Sequence, residues 1–177
     1  MKELSLHILD LVENAAAAGA RHLYISVLED ERADRLNITV EDDGAGMPRD
    51  LAARACDPFT TTRATREVGL GLSLLAAAAQ QAGGSLRVDS TPGLRTEVQA
   101  HFGLTHVDRA PLGRIADTLI AAAILHPHLR TTYEHRTDRG RFAMRLPQPS
   151  PRAPAAALSA RVRDALHDGL RRIRAQA

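Results

Sequence analysis

Tryptophan is absent from this chain, and aromatic residues of all kinds make up only 3% of it. A core cannot be built on large rings and must come from Leu, Ile, Val and Ala, within an apolar share of 44%. The single cysteine, Cys56, excludes an intramolecular disulfide, fits a reducing compartment and reads as a small buried hydrophobe. Lysine is nearly missing too: Lys2 is the only one, so almost every basic residue is Arg. No apolar h-region marks a secretory signal, and the longest apolar run, Leu119 to Leu125, is far too short to span a bilayer. The net charge of +2 argues neither for nor against an anionic partner. What is left is a soluble, cytoplasmic chain whose 177 residues suffice for one domain with a full core and a small appendage.

The hydrophobic pattern divides this length into elements. Leu4, Ile8, Leu11, Val12 and Ala15 recur at helical spacing, and Gly19 stands where a C-cap glycine belongs. HLYISVLE (22–29) and RLNITVED (35–42) alternate and are rich in β-branched residues, with a polar DERAD hairpin loop between them. DDGAGMP breaks that pattern. Residues 49–69 are polar and irregular apart from a short helical piece near Leu51 to Ala55. An apolar helix from Leu70 to Ala82 stops at Gly83-Gly84, and the strands SLRVDS and TEVQAHFGL follow, joined by the turn TPGLR. This order predicts an α+β fold, a two-layer sandwich with a mixed, mostly antiparallel sheet, over residues 1–106. Residues 107–147 read as a smaller helix-hairpin unit, with PLGRIADTLIAAAILHP as its helix and Pro111 near the helix start. Residues 148–155 are a linker by composition, and 156–177 form a closing amphipathic helix, which completes a C-terminal αββα extension.

Three glycine motifs carry chemistry. EDDGAGMP puts an acid and two glycines at a strand end, where a carboxylate can accept an amine and the backbone can approach a flat ligand. GLGLSLL (69–75) opens a helix with two glycines, and helix N-terminal amides form an anion site. TPGLRTEVQAHF is a turn into a strand. Taken singly, each has a plain reading: a turn, a loop-to-helix junction, a hairpin. No Walker GxxxxGK[ST] and no dinucleotide GxGxxG occurs.

In this order, on this pattern of elements, the motifs resemble the GHKL superfamily, the ATPase domains of gyrase, the heat-shock chaperone, sensor histidine kinases and the mismatch-repair ATPase. The resemblance covers roughly residues 1–104: ENAAAAGA is similar to the N-box, DDGAGM to the DxGxG motif, GLGL and PGLRT to the second and third glycine motifs, and DPFTTTRATREVGLGLSLL to an ATP lid with a PFTT element. It implies a Bergerat-type fold that binds ATP and Mg2+. Asn14 then ligates Mg2+ through its side-chain oxygen. Asp10, four residues earlier on the same helix face, takes the position of the residue that orients or deprotonates the nucleophile. Glu13 points about 100° away from Asn14 on a helical wheel and is discounted as the base. Asp42 receives the adenine amino group, with Gly44, Gly46 and Met47 near the ring and Thr96 helping at that end. Gly69, Leu70, Gly71 and Leu72 approach the phosphates, and Thr61, Arg63 and Arg66 lie in a lid from about Pro48 to Val68.

Two departures stand out. The base position holds Asp where ATP-hydrolysing members carry Glu, and Arg95 replaces the usual second glycine of the third motif. Two readings follow. One is an enzyme that hydrolyses ATP or transfers its phosphoryl group to a protein in regulation. The other is a non-catalytic ATP-sensing module that acts through its lid on a partner. The ATPase motifs begin at the N-terminus and leave no room for a preceding phosphoacceptor hairpin; HDGLRRI at His167 lacks the following Pro. Arg171, Arg172 and Arg174 suit a helix C-terminus, and no interleaved aromatics mark them for nucleic acid. No membrane association is expected. The partner is unidentified, a homodimer is compatible, and small stand-alone proteins of this kind resemble ATP-binding proteins encoded beside iron hydrogenase or electron-transfer subunits.

Overall fold

The computed structural model describes residues 3–57, 70–150 and 155–175. Eleven elements follow one another there. They are α1 (Leu4–Ala17), β1 (His22–Asp30), β2 (Arg35–Asp42), α2 (Arg49–Ala53), α3 (Leu70–Gln81), β3 (Ser85–Thr91), β4 (Arg95–Gly103), α4 (Ile115–Leu125), β5 (Arg130–Thr137), β6 (Gly140–Arg145) and α5 (Ala155–Ala175). The six strands form one sheet in the order β3-β4-β2-β1-β5-β6, antiparallel throughout except for the parallel pair β1–β5. The fold is the mixed, mostly antiparallel α+β sandwich that the sequence predicts.

Strict alternation builds the sheet's two faces. Leu23, Ile25 and Val27 of β1, Leu36, Ile38 and Val40 of β2, and Val98, Ala100 and Phe102 of β4 are all buried. They meet Leu4, Ile8, Leu11, Val12 and Ala15 of α1, Leu75, Ala79 and Ala82 of α3, and Leu119, Ala122 and Ala123 of α4 in one core. Small alanines on the helices let them lie close to the sheet, and no large ring is needed there. At about 25 cal/mol per Å² of apolar surface, this burial dominates the fold's stability.

The hairpin β5–β6 belongs to this same sheet. The register pairs His22 with Arg130 and Glu29 with Thr137 in parallel, a connection that demands a crossover, and α4 supplies it. Tyr133 and His135 of β5 are fully buried beneath α5. The Tyr133 hydroxyl meets His135 Nδ1 at 2.8 Å, and His135 Nε2 meets Glu29 Oε1 at 2.9 Å. The His135 hydrogen bond holds the Glu29 carboxyl below its ordinary pKa, against the opposing pull of burial. Helix α5 closes this end by laying Leu158, Val162, Leu166 and Ile173 inward, and Gly169 lies against the Phe142 ring.

One sequence expectation is corrected. Pro111 to Arg114 are not helical; α4 begins at Ile115. The PLGR segment instead runs past the start of α1, where the Leu4 and Ser5 amides donate to the Pro111 and Leu112 carbonyls at 2.9 Å each. Helix starts carry unsatisfied N–H groups, and this backbone takes up two of them in place of a side-chain cap. No helix among the described residues is long and apolar enough to cross a membrane.

Candidate functional site

The site is assembled where α1, the loop after β2, the start of α3 and the β3–β4 turn converge. Its base is a cross-strand pair: Asp42 at the end of β2 stands directly opposite Thr96 of β4. Both are 8% exposed. Asp42 Oδ1 accepts the Gly44 amide at 2.9 Å, which leaves Oδ2 to accept a further donor. Burial raises the Asp42 carboxyl above its ordinary pKa, and the charges of Asp43 and Glu41 push the same way, while the Gly44 amide opposes them.

The two neighbouring aspartates divide the work. Asp43 faces outward, and its Oδ1 takes the amides of Arg21 and His22 at 2.7 and 2.8 Å, with Oδ2 2.7 Å from His22 Nδ1. This clamp fixes the loop to the start of β1 and turns Asp42 inward. Beyond it the chain threads between α1 and the β3–β4 turn: the Ala45 amide donates to the Ala18 carbonyl and Gly93 donates to Ala45. A Cβ on Gly44 would come within 2.8 Å of the Ala18 methyl, and one on Gly46, at φ +62°, would collide with the Thr91 carbonyl. Both glycines are demanded first by the protein's own packing, Gly44 by side chains and Gly46 by backbone.

Ser90 escaped the sequence reading. It lies opposite Thr96 on β3, with its hydroxyl 2.9 Å from Thr96 Oγ1. The same oxygen accepts the Met47 amide at 2.9 Å and its proton goes to the Arg95 carbonyl at 3.0 Å. Ser90 thus ties the second motif to the third. A serine in a strand carries no sequence signal of such a role. Arg95 points to the other face of the sheet, where Glu97, Asp89 and Glu41 hold it at 3.3, 3.5 and 3.8 Å. A long cation is therefore tolerated beside Thr96 because strand alternation sends it away from the site.

Asp10 and Asn14 sit one turn apart on α1, Asp10 half-buried and Asn14 exposed. Gly71, in the first turn of α3, comes up against Asp10: a Cβ there would lie 3.5 Å from Asp10 Cβ and 3.6 Å from Oδ2. Leu72 is half-buried and packs on the core. Glu13 is engaged elsewhere, 2.9 Å from His126 Nε2 beyond α4. His7, one turn before Asp10, is buried with Nδ1 lacking a hydrogen-bond partner, and burial lowers its pKa to about 4. Cys56 is half-buried rather than fully buried. Thr61, Arg63, Arg66 and Gly69 lie outside the described residues, as does the side chain of Leu70.

The groups present suit a nucleotide with its metal. Asp42 and Thr96 offer acceptors in a dry corner, the chemistry an exocyclic amine requires. The amides at the head of α3 suit anions. Among the described residues no three His, Cys, Asp or Glu side chains gather as a metal site of their own. A divalent ion here would draw one oxygen from Asn14 and the rest from phosphate and water, the habit of Mg2+.

Residues 2–106 match the family model described as Histidine kinase-, DNA gyrase B-, and HSP90-like ATPase. The chain is 37% identical to the sensor kinase CckA of Brucella abortus over 84 residues, 47% of this chain and 9% of that protein. It is 35% identical to the sensor histidine kinase ZraS of Escherichia coli O157:H7 over 86 residues, 49% of this chain and 19% of that one. The chain thus spans less than a fifth of either relative. Among solved structures, the MutL ATPase domain of Aquifex aeolicus complexed with ADP superposes with a TM-score of 0.52 at 14% identity, covering 94% of this chain and 70% of that one. The N-terminal domain of a DNA repair protein gives 0.52 at 12% identity, over 89% and 56% of the two chains. At such identities the structural likeness speaks for the fold alone.

Proposed function

Because this chain belongs to the histidine kinase-, DNA gyrase B- and HSP90-like ATPases, we propose that it binds ATP with Mg2+ and turns the nucleotide over, by hydrolysis or by phosphoryl transfer to a protein partner in regulation. The observation that carries this reading is the buried pair of Asp42 and Thr96, set directly across from each other at the foot of α1. Asp42 Oδ2 accepts the adenine amine, and Thr96, held by Ser90, supports the same edge. Gly44, Gly46 and Met47 flank the base, while Gly69, Leu70, Gly71 and Leu72 bring backbone amides to the phosphates. Asn14 holds the metal, which supplies charge neutralisation along the triphosphate. Asp10 orients the nucleophile and takes its proton, its carboxylate set beside Gly71 at the head of α3. Thr61, Arg63 and Arg66 act from the lid.

The test is turnover of labelled ATP by wild type and by Asp10→Asn. Phosphate release or protein labelling in wild type that disappears in the variant, with ATP affinity retained, is the expected result. A second reading rests on the Asp at position 10, one methylene shorter than Glu: a sensor that binds ATP and signals through lid conformation without catalysis. Tight binding with equally negligible turnover in both proteins would establish that reading and overturn the first.

A further inference from the structure

Charge is unevenly spread along this chain. Residues 1–106 contain ten Lys and Arg against fifteen Asp and Glu, whereas residues 107–177 contain thirteen against six, so the two parts carry −5 and +7. In the fold the basic part forms one side of the sheet. Thr131, Tyr133 and His135 of β5 point into the core. Alternation therefore places Arg130, Thr132, Glu134 and Arg136 on the face opposite the core, and the register adds Arg141 and Arg145 of β6. Glu134 is buried between two of these arginines, with Arg141 Nε at 2.8 Å and Arg136 Nε at 3.6 Å. Arg130 and Arg145 have no acidic partner among the described residues.

Those two guanidinium groups border a groove of about 870 Å³, with Tyr24, Thr132, Leu146 and Gln148 along it. Of the acids at its other end, Glu41 is paired with Arg95 and Asp43 with His22, while Asp42 is buried, with one oxygen on the Gly44 amide. From this geometry we propose that the groove docks an acidic, extended segment of a partner protein, with Arg130 and Arg145 as its carboxylate forks. The inference goes beyond the nucleotide reading and does not rest on it.

Four features favour a polypeptide. Guanidinium forks match carboxylates in bidentate geometry. Among the described strands β6 stands at the edge of the sheet, with β5 as its one strand neighbour, the position at which an extended chain can add to a sheet. Nucleic acid would call for several aromatic platforms, and the groove offers Tyr24 and a His22 ring already tied to Asp43. A lipid surface would call for several exposed apolar anchors, yet of the large exposed apolar residues only Leu94 borders the groove, while Leu6, Leu74, Val107, Ile124 and Leu125 do not line it.

The experiment uses the full chain and fluorescence anisotropy with a short fluorescein-labelled peptide of Glu-Thr repeats. Single-stranded oligonucleotide of equal charge and phosphatidylserine vesicles are run in parallel. The peptide is expected to bind, and the double variant Arg130→Gln, Arg145→Gln to weaken it about tenfold through loss of two charge-assisted contacts. A control pair on exposed helix positions, Arg161→Gln with Arg171→Gln, should leave binding unchanged, and melting curves show that both variants are folded. Absence of peptide binding, or an equal loss in the control pair, overturns the proposal. So does tighter binding of oligonucleotide or vesicles that vanishes in the groove variant.

Discussion

Replacing Asp42 with Asn removes one charge and exchanges one oxygen for an NH2 while keeping the side chain's size. In the wild type, Oδ1 accepts the Gly44 amide at 2.9 Å, a bond the Asn oxygen can retain. The NH2 then takes the place of Oδ2 and meets the adenine amine donor to donor. Losing a hydrogen bond to a charged acceptor costs about 1.5–3 kcal/mol, or about 10- to 150-fold in Kd for ATP. Stability should move the other way. Burial raises the Asp42 pKa in the folded chain, so the folded state binds the proton more tightly than the unfolded state does. Its contribution is complete below the unfolded carboxyl range and is lost as pH rises through the raised folded pKa. At pH about 7 the Asn variant should therefore be at least as stable as wild type, and the advantage should fade below pH about 4. Calorimetric titration with Mg-ATP and melting curves at both pH values read the two effects. Unchanged ATP affinity would refute the acceptor role. A lower melting temperature at neutral pH would make Asp42 an anchor for the Gly44 turn instead.

Four further outcomes are expected. Asn14→Ala, at an exposed helix position, should change stability by no more than about 0.5 kcal/mol yet abolish the Mg2+ dependence of ATP affinity; retained dependence in calorimetry counts against the metal role. Ser90→Ala leaves the Met47 amide without its acceptor and should cost about 1–3 kcal/mol in urea unfolding, with weaker nucleotide binding as Thr96 loses its tether. Wild-type stability should fall by about 3 kcal/mol between pH 6.5 and 4 from His7 alone, since its folded pKa is lowered to about 4 and the unfolded state takes up the proton first. His7→Leu should flatten that slope in acid titrations followed by circular dichroism. Gly169→Ala should destabilise by about 1–3 kcal/mol, although helix propensity alone would favour Ala, because the new methyl meets the Phe142 ring; a higher melting temperature would show that α5 can shift away.

Much of the fold was legible because one-sided burial writes itself into sequence period. Alternation in HLYISVLE and RLNITVED fixed both strands and the face each residue takes, and the i, i+4 apolar pattern fixed α1. The candidate site was partly legible for a related reason: Asp10, Asn14 and Asp42 sit at fixed offsets within local motifs. The segment PLGR was misread as helix because Pro111 is a good first helical residue and nothing local reveals that its carbonyls face α1. Ser90 was missed because its hydroxyl matters only through its opposite neighbour on β4. Arg95 looked disruptive beside Thr96 until register put it on the opposite face, among three carboxylates.

Sequence by itself determined the type of most described segments, since periodicity, turn chemistry and motif spacing act over a few residues. It also determined the family's signature over the first 106 residues. Tertiary structure alone decided that residues 130–145 extend the same sheet, because a parallel partner is chosen by the crossover through α4 and not by the strand's own composition. It alone showed what holds Asp43 outward, the clamp of the Arg21 and His22 amides on its carboxylate. And it alone brought Arg130 and Arg145 to one groove, because side chains fifteen residues apart meet only when a register has been set.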